Sequence, residues 1–195
     1  IGSYDKNVYA FGPAVDWPMF RHDLRHTGHS TSEAPDENDT LWSYATGDDV
    51  ISSPAVADGK VFIGSADHRV YALNASTGKP IWSYTTGHFV GSSPAVADGK
   101  VFIGSVDKNV YALDASTGEP VWKYTTDGYV TSSPAVADGK VFIGSLDNRT
   151  YALDASTGQH IWNHITGAYV DGCVPMIVSS PAVADGKVFV GSEDH

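Results

Sequence analysis

The sequence predicts an all-β fold, a β-propeller of four-stranded antiparallel blades, with four blades' worth of sequence in the chain. Three observations predict it. A frame of about forty residues, SSPAVADGKVFIGS followed by YAL, ASTG and Trp, returns at residues 51–90, 91–130 and 131–177. Each copy carries turn signals that cut it into four short apolar runs. The chain also holds two partial copies of opposite kind: residues 179–195 supply the first half of a unit, while residues 1–11 with 41–46 supply the second. These three pieces read as one split blade, residues 12–40 as a leader or linker, and the whole of residues 1–195 as a single propeller or half-propeller domain.

Within the first full unit, Ser53-Pro54-Ala55-Val56-Ala57 reads as strand one, ended by Asp58-Gly59, a pair that tolerates the positive φ of a tight hairpin. Strand two runs from Lys60 to Ser65, with Val61 and Ile63 on one face and Phe62 on the other. A strand apolar on both faces belongs between stacked sheets. Strand three is Val70 to Leu73, ended by Asn74-Ala75-Ser76-Thr77-Gly78, and strand four is Pro80 to Thr85, with Trp82 and Tyr84 on one face. One such sheet cannot bury two apolar faces alone; sheets stacked around an axis can. Small residues fit the crowded inner strand, whereas Trp42, Trp82, Trp122 and Trp162 fill the widening gap towards the rim. Those tryptophans and Gly78, Gly118 and Gly158 are therefore structural candidates.

The complementary halves have two solutions. They can meet within one chain as a four-blade ring, or between two chains as an eight-bladed ring with two shared blades, which makes a second copy of the chain a candidate partner. The repeated Gly-Ser-x-Asp at residues 2–5 and 191–194 also suits a piece of a longer array.

Twelve Lys and Arg against 23 Asp and Glu give a net charge of -11, which argues against nucleic acid or an anionic membrane surface as the main partner. No apolar run approaches eighteen residues and Ile1-Gly2-Ser3-Tyr4 is not a signal sequence, so membrane insertion is not expected. Cys173 is the sole cysteine, which excludes an internal disulfide and a cysteine-based zinc site within this sequence. Asn38, Asn74 and Asn148 each open an Asn-x-Ser/Thr triplet.

The frame Ala112-Leu113-Asp114-Ala115-Ser116-Thr117-Gly118-Glu119-Pro120-Val121-Trp122 resembles the tryptophan-docking motif of pyrroloquinoline-quinone-like (PQQ-like) propeller repeats, and it recurs from Ala72 to Trp82 and from Ala152 to Trp162. Residues 17–28, from Trp17 to Gly28, resemble the leader that precedes the first blade in many prokaryotic members. The resemblance implies that the turn and the tryptophan hold neighbouring blades together. It covers quinone-dependent dehydrogenases, usually eight-bladed, and noncatalytic cell-surface and envelope proteins. The quinone alcohol dehydrogenases carry a vicinal cysteine pair that this sequence lacks, so the likeness is to the scaffold, and no cofactor is expected.

Strand alternation puts the loop between strands two and three on the same face as the connection to the next blade. Those loops vary between units, while the Ala-Asp-Gly-Lys and Ala-Ser-Thr-Gly turns of the opposite face barely change. Binding residues hang from rigid elements, so the variable face supplies the candidates: Asp49, Arg69, His88, Phe89, Lys108, Tyr129, Arg149, Tyr169, Asp171 and Met176, the last two within seven residues, 171–177, absent from the other units. Aromatic and Arg side chains are apt interface anchors. Asp67, Asp107, Asp147 and Asp194 read as turn caps rather than calcium ligands. His22, His26 and His29 fit a polar strap better than a metal site, which leaves no metal ligands and no catalytic residues assigned. The resulting expectation is a noncatalytic scaffold for a protein or glycan, extracellular or at the cell surface. The alternatives are a quinone-dependent oxidoreductase or its degenerate relative, and a purely structural envelope repeat or engineered array.

Overall fold

The computed structural model describes residues 2–11, 17–20, 22–23, 39–166 and 176–192. Among these, sixteen strands form five antiparallel sheets. The first is a pair, β1 (Asn7–Phe11) with β2 (Thr40–Ala45). Three four-stranded blades follow, each in simple sequential order. They comprise β3 (Ala55–Ala57), β4 (Lys60–Gly64), β5 (Arg69–Asn74) and β6 (Pro80–Thr85); then β7 (Ala95–Ala97), β8 (Lys100–Gly104), β9 (Asn109–Asp114) and β10 (Pro120–Thr125); then β11 (Ala135–Ala137), β12 (Lys140–Ser145), β13 (Arg149–Asp154) and β14 (His160–Ile165). A last pair joins β15 (Ala182–Ala184) to β16 (Lys187–Phe189).

The turn chemistry is as the residues require. Asp58 and Gly59 both take positive φ, 50° and 69°, the conformation of a hairpin whose twist matches its strands. Pro80 stands at the start of β6, beside a register shift between Ala72 and Leu73 that absorbs its missing N–H. Both faces of each blade are buried: Val61 and Ile63 join Val8, Trp42 and Val50 of the preceding unit, while Phe62 joins Val96, Val101 and Ile103 of the next.

Adjacent blades are clamped at the rim by the tryptophans. Trp122 Nε1 donates to Ala155 O at 3.1 Å, and its ring lies over Gly158, where an added Cβ would stand 2.6 Å from Cδ2. Gly158 also has φ of +72°, so only glycine meets both demands. Trp42 over Gly78 and Trp82 over Gly118 repeat the arrangement, donating to Ala75 O and Ala115 O. Near the axis the clamp is a serine relay: Ser53 N–H donates to Ser93 Oγ at 2.9 Å, Ser93 to Ser133 at 2.9 Å, and Ser133 to Ser180 at 3.0 Å. Small size is thus one of two reasons for serine there.

The split blade is not assembled within the chain. β1–β2 and β15–β16 remain separate sheets with the three complete blades between them, so the four-blade closure is not the arrangement found. Surfaces covered elsewhere are consequently open at this end. Phe189 is 55% exposed where its counterparts Phe62, Phe102 and Phe142 are buried, and Trp162 is 37% exposed where Trp122 is 8%.

The segment around Trp17, expected to be a leader, crosses the inner strands instead. Trp17 forms an antiparallel bridge with Val56, Val96 N–H donates to Pro18 O at 2.7 Å, and Met19 is buried with Val136 and Val141 of the third blade. His22 stacks edge-on against Trp17, consistent with a strap, while His26 and His29 lie outside the described residues.

Truncating Trp122 to Ala should cost about 3–5 kcal/mol, within the usual range for a buried aromatic. The same change at Trp162 should cost less than half as much, because its ring has no glycine turn packed on it among the described residues. Urea unfolding of the two variants measures both values; equal losses would contradict the clamp.

Candidate functional site

On the variable face each blade's β-turn is stitched to the exit loop of the blade before it. Asp107 shows the pattern. Its Oδ1 accepts the N–H of Asn109 at 3.0 Å, and its Oδ2 accepts both the Tyr111 hydroxyl at 2.5 Å and, from the preceding blade, the Gly87 N–H at 2.7 Å. Asp67 does the same with Arg69, Tyr71 and Gly47, and Asp147 with Arg149, Tyr151 and Asp127. The expected turn caps are therefore also inter-blade latches. Asp194 lies outside the described residues. Burial pushes the Asp107 carboxyl up, but the hydrogen bonds from Tyr111, Gly87 and Asn109 outweigh it and hold the group below the usual carboxylate range. Burial, with the same bond to Asp107, drives the Tyr111 hydroxyl in the opposite direction.

Within each blade, the third residue of this turn faces the exit loop of the same blade across one fixed backbone bond: Thr46 N–H to Lys6 O, Thr86 to His68 O, and Thr126 to Lys108 O, all 2.8 Å. The side chains filling that constant slot differ in kind. In the first, Lys6 Nζ pairs with Asp48 at 3.4 Å. In the second, His68 and His88 stack with centroids 5.0 Å apart, and His88 Nδ1 accepts the N–H of Phe89 at 2.9 Å. In the third, the Lys108 side chain is exposed, and in the fourth Asn148 accepts from Thr166 Oγ1 at 2.8 Å. His68 was not among the candidates read from the sequence; its pairing with His88 depends on the register of β5 and β6.

The other candidates divide by position. Asp49, Phe89, Tyr129 and Met176 occupy one equivalent place beside the axis, because Ile177, the last residue of the seven-residue insertion, takes the framework place of Val50, Val90 and Val130 against a glycine, Gly144. Tyr129 is 49% exposed, whereas Phe89 is half-buried against Gly91, close to Ile51. Arg69 and Arg149 lie at the rim instead of the axis: Arg69 reaches Ser83 Oγ at 3.4 Å, and Arg149 pairs with Asp127 at 3.1 Å. Lys108 is exposed. Tyr169, Asp171 and Cys173 lie outside the described residues. Among the described residues there is no group of three or more His, Cys, Asp or Glu side chains arranged to hold a metal ion.

Comparison with known proteins agrees with this geometry. The family model described as outer membrane protein assembly factor BamB matches residues 31–90 and 87–195. No curated protein sequence matches the chain. Among solved structures, BamB from Moraxella catarrhalis superposes with a TM-score of 0.72 at 24% identity, covering 79% of this chain and 50% of its own. Quinohemoprotein alcohol dehydrogenase from Comamonas testosteroni gives 0.66 at 30% identity over 76% and 27% of the two chains. The computationally designed Ika8 protein gives 0.68 at 21% identity over 80% and 46%. The chain thus spans half or less of the length of these structures.

Replacing Asp107 with Asn removes a charged acceptor from three donors and should cost about 1.5–3 kcal/mol at neutral pH. Because the folded-state pKa is depressed, that contribution is present above the unfolded carboxylate's value, near pH 4, and disappears as pH falls through the folded one. Denaturant titrations of both proteins between pH 7 and pH 3 should show the gap narrowing only below about pH 4; a gap constant with pH would contradict the latch.

Proposed function

The chain belongs to the PQQ-like repeat family described as outer membrane protein assembly factor BamB, and on that premise we propose that it is a noncatalytic propeller scaffold that binds a protein or glycan through its variable face, outside the cytoplasm. One observation carries the proposal. Ser76, Ser116 and Ser156 on the opposite face are as exposed as the variable loops, yet all three are identical. Exposure alone therefore does not make these repeats diverge. The slots of the variable face keep one backbone geometry and change in side-chain chemistry, from an ion pair to stacked imidazoles to an exposed lysine. A rigid frame displaying different side chains at equivalent points is suited to recognition. The family's description as an assembly factor of outer membrane proteins supports a protein partner and a location in the cell envelope.

The half-blades fit a closure between two copies of the chain. Among the described residues β16 is a second strand without a third, and β1 a third strand whose second-strand contact is the bridge from Gly2 to Val8. In the complete blades Val141 pairs with Leu153 and Phe142 with Ala152, so the equivalent register sets Val188 opposite Phe11 and Phe189 opposite Ala10 of a second copy. Three complete blades from each copy and two composite ones make an eight-bladed ring. The serine relay fits the same closure, with Ser180 N–H meeting Ser53 Oγ of the next copy.

Titration with peptides from outer membrane proteins, followed by fluorescence anisotropy, tests the binding face. Lys108→Glu with Tyr129→Ala should weaken binding at least tenfold (about 1.4 kcal/mol), and Ser116→Glu should leave it unchanged. An equal effect from both faces, or no binding of these peptides or of a glycan panel, would overturn the reading. Light scattering across a dilution series tests the ring: twice the mass of the chain is expected, falling to a single chain in Phe189→Asp. A single-chain mass for the unaltered protein would sink the ring while leaving the binding face to its own assay.

A further inference from the structure

Three Asn-x-Ser/Thr triplets occur in the chain, and the fold separates them. Asn38 lies outside the described residues. Asn148 is buried, its Oδ1 accepts from Thr166 Oγ1, and the hydroxyl-bearing Thr150 sits within β13 at 2% exposure. No transferase can reach that amide or that hydroxyl in the folded chain. Asn74 differs on each count. It ends β5 on the face opposite the variable loops, only partly buried, and Ser76 two residues on is exposed.

The repeat supplies an internal control for what the Asn74 side chain does. Its Oδ1 accepts the N–H of Ser76 at 3.1 Å, the N–H of Thr77 at 2.9 Å and the Thr77 hydroxyl at 2.9 Å. Asp114 and Asp154 accept the same three bonds through one carboxylate oxygen in the next two blades. The turn therefore needs an acceptor oxygen and has no use for an amide nitrogen. In the first full blade alone, that oxygen comes with an Nδ2 that takes no part in holding the turn, and the residues downstream complete the acceptor triplet.

We propose that Asn74 is an attachment site for an N-linked glycan, an inference that rests on the location outside the cytoplasm argued above. A glycan there leaves the variable face clear, because the β5–β6 turn projects from the opposite side of the blade. It also stands beside the Trp42–Gly78 clamp without entering it, since Nδ2 forms none of the turn's bonds.

The test uses the folded chain, a purified single-subunit oligosaccharyltransferase that modifies folded proteins, and its lipid-linked oligosaccharide, read by intact mass and peptide mapping. The expected product carries a glycan on the peptide containing Asn74 and none on that containing Asn148. The Asn74 glycan should disappear in Asn74→Asp and in Ser76→Ala. Asn74→Asp should unfold at the same temperature as the parent, since Asp holds this turn in the two blades that follow. An unmodified Asn74 peptide in the folded chain would overturn the site, as would transfer to Asn148 in its place. Neither result would touch the peptide-binding assay of the variable face, so failure here is separable from failure of the functional reading.

Discussion

The structure depends on a steric fit between a ring and a missing side chain. A blade apolar on both faces has no stable solvent-facing side, so it must be held against neighbours at a fixed angle. The angle is set where the blades diverge. There Trp42, Trp82 and Trp122 each lie on a positive-φ glycine of the following blade and donate an indole N–H to the carbonyl three residues before it. The ring fills the widening gap, the hydrogen bond orients it, and the glycine lets it approach. The serine relay near the axis and the aspartate latches on one face then lock a separation that the rim has already chosen. All three devices connect one unit to the next, and beyond the third blade they are only partly made among the described residues: Ser133 N–H still reaches Ser180 Oγ, but no glycine turn lies against Trp162. Trp162 and Phe189 are exposed there although their sequence context matches that of buried equivalents.

Much of this was legible in the sequence because repetition reports physical necessity several times over. The four strands per unit, the Asp-Gly hairpins and the two-faced second strand follow from alternation and turn chemistry, and Val61, Phe62 and Ile63 point as their pattern requires. That the tryptophans fill the widening gap was readable from their recurrence, and that they hold the turn of the next blade was implied by the resemblance to PQQ-like repeats. What escaped was whatever does not repeat or leaves no side-chain trace. Trp17 and Pro18 contact the inner strands through backbone groups, which any sequence could offer, so the strap read at His22, His26 and His29 could not be placed against Val56 and Val96. The slot pairs escaped for another reason. His68 and His88 lie twenty residues apart, Lys6 and Asp48 much further, and only the register of the third and fourth strands brings each pair together. Similarly, Ile177 was read as part of an insertion, although its contact with Gly144 makes it the framework residue and moves Met176 into the position of Phe89 and Tyr129.

The latches limit where recognition can lie. The recurring aspartates look available in the sequence, one at the tip of each variable loop. In the fold their oxygens already accept from a backbone N–H, a tyrosine hydroxyl and a backbone N–H of the preceding blade. A carboxylate so engaged would have to release a latch between blades before it could bind a cation or a ligand, and its depressed pKa at Asp107 reflects that engagement. Arg149 is likewise engaged by Asp127. The chemistry left over on this face is that of side chains the framework does not employ: Lys108 and Tyr129 in one blade and the His68–His88 pair with Phe89 in another. The units differ at such positions, while the tryptophans, glycines, serines and aspartates that hold the complete blades together stay constant. A scaffold that spends its acidic residues on latches and changes only the remainder can alter what it binds without altering how it folds.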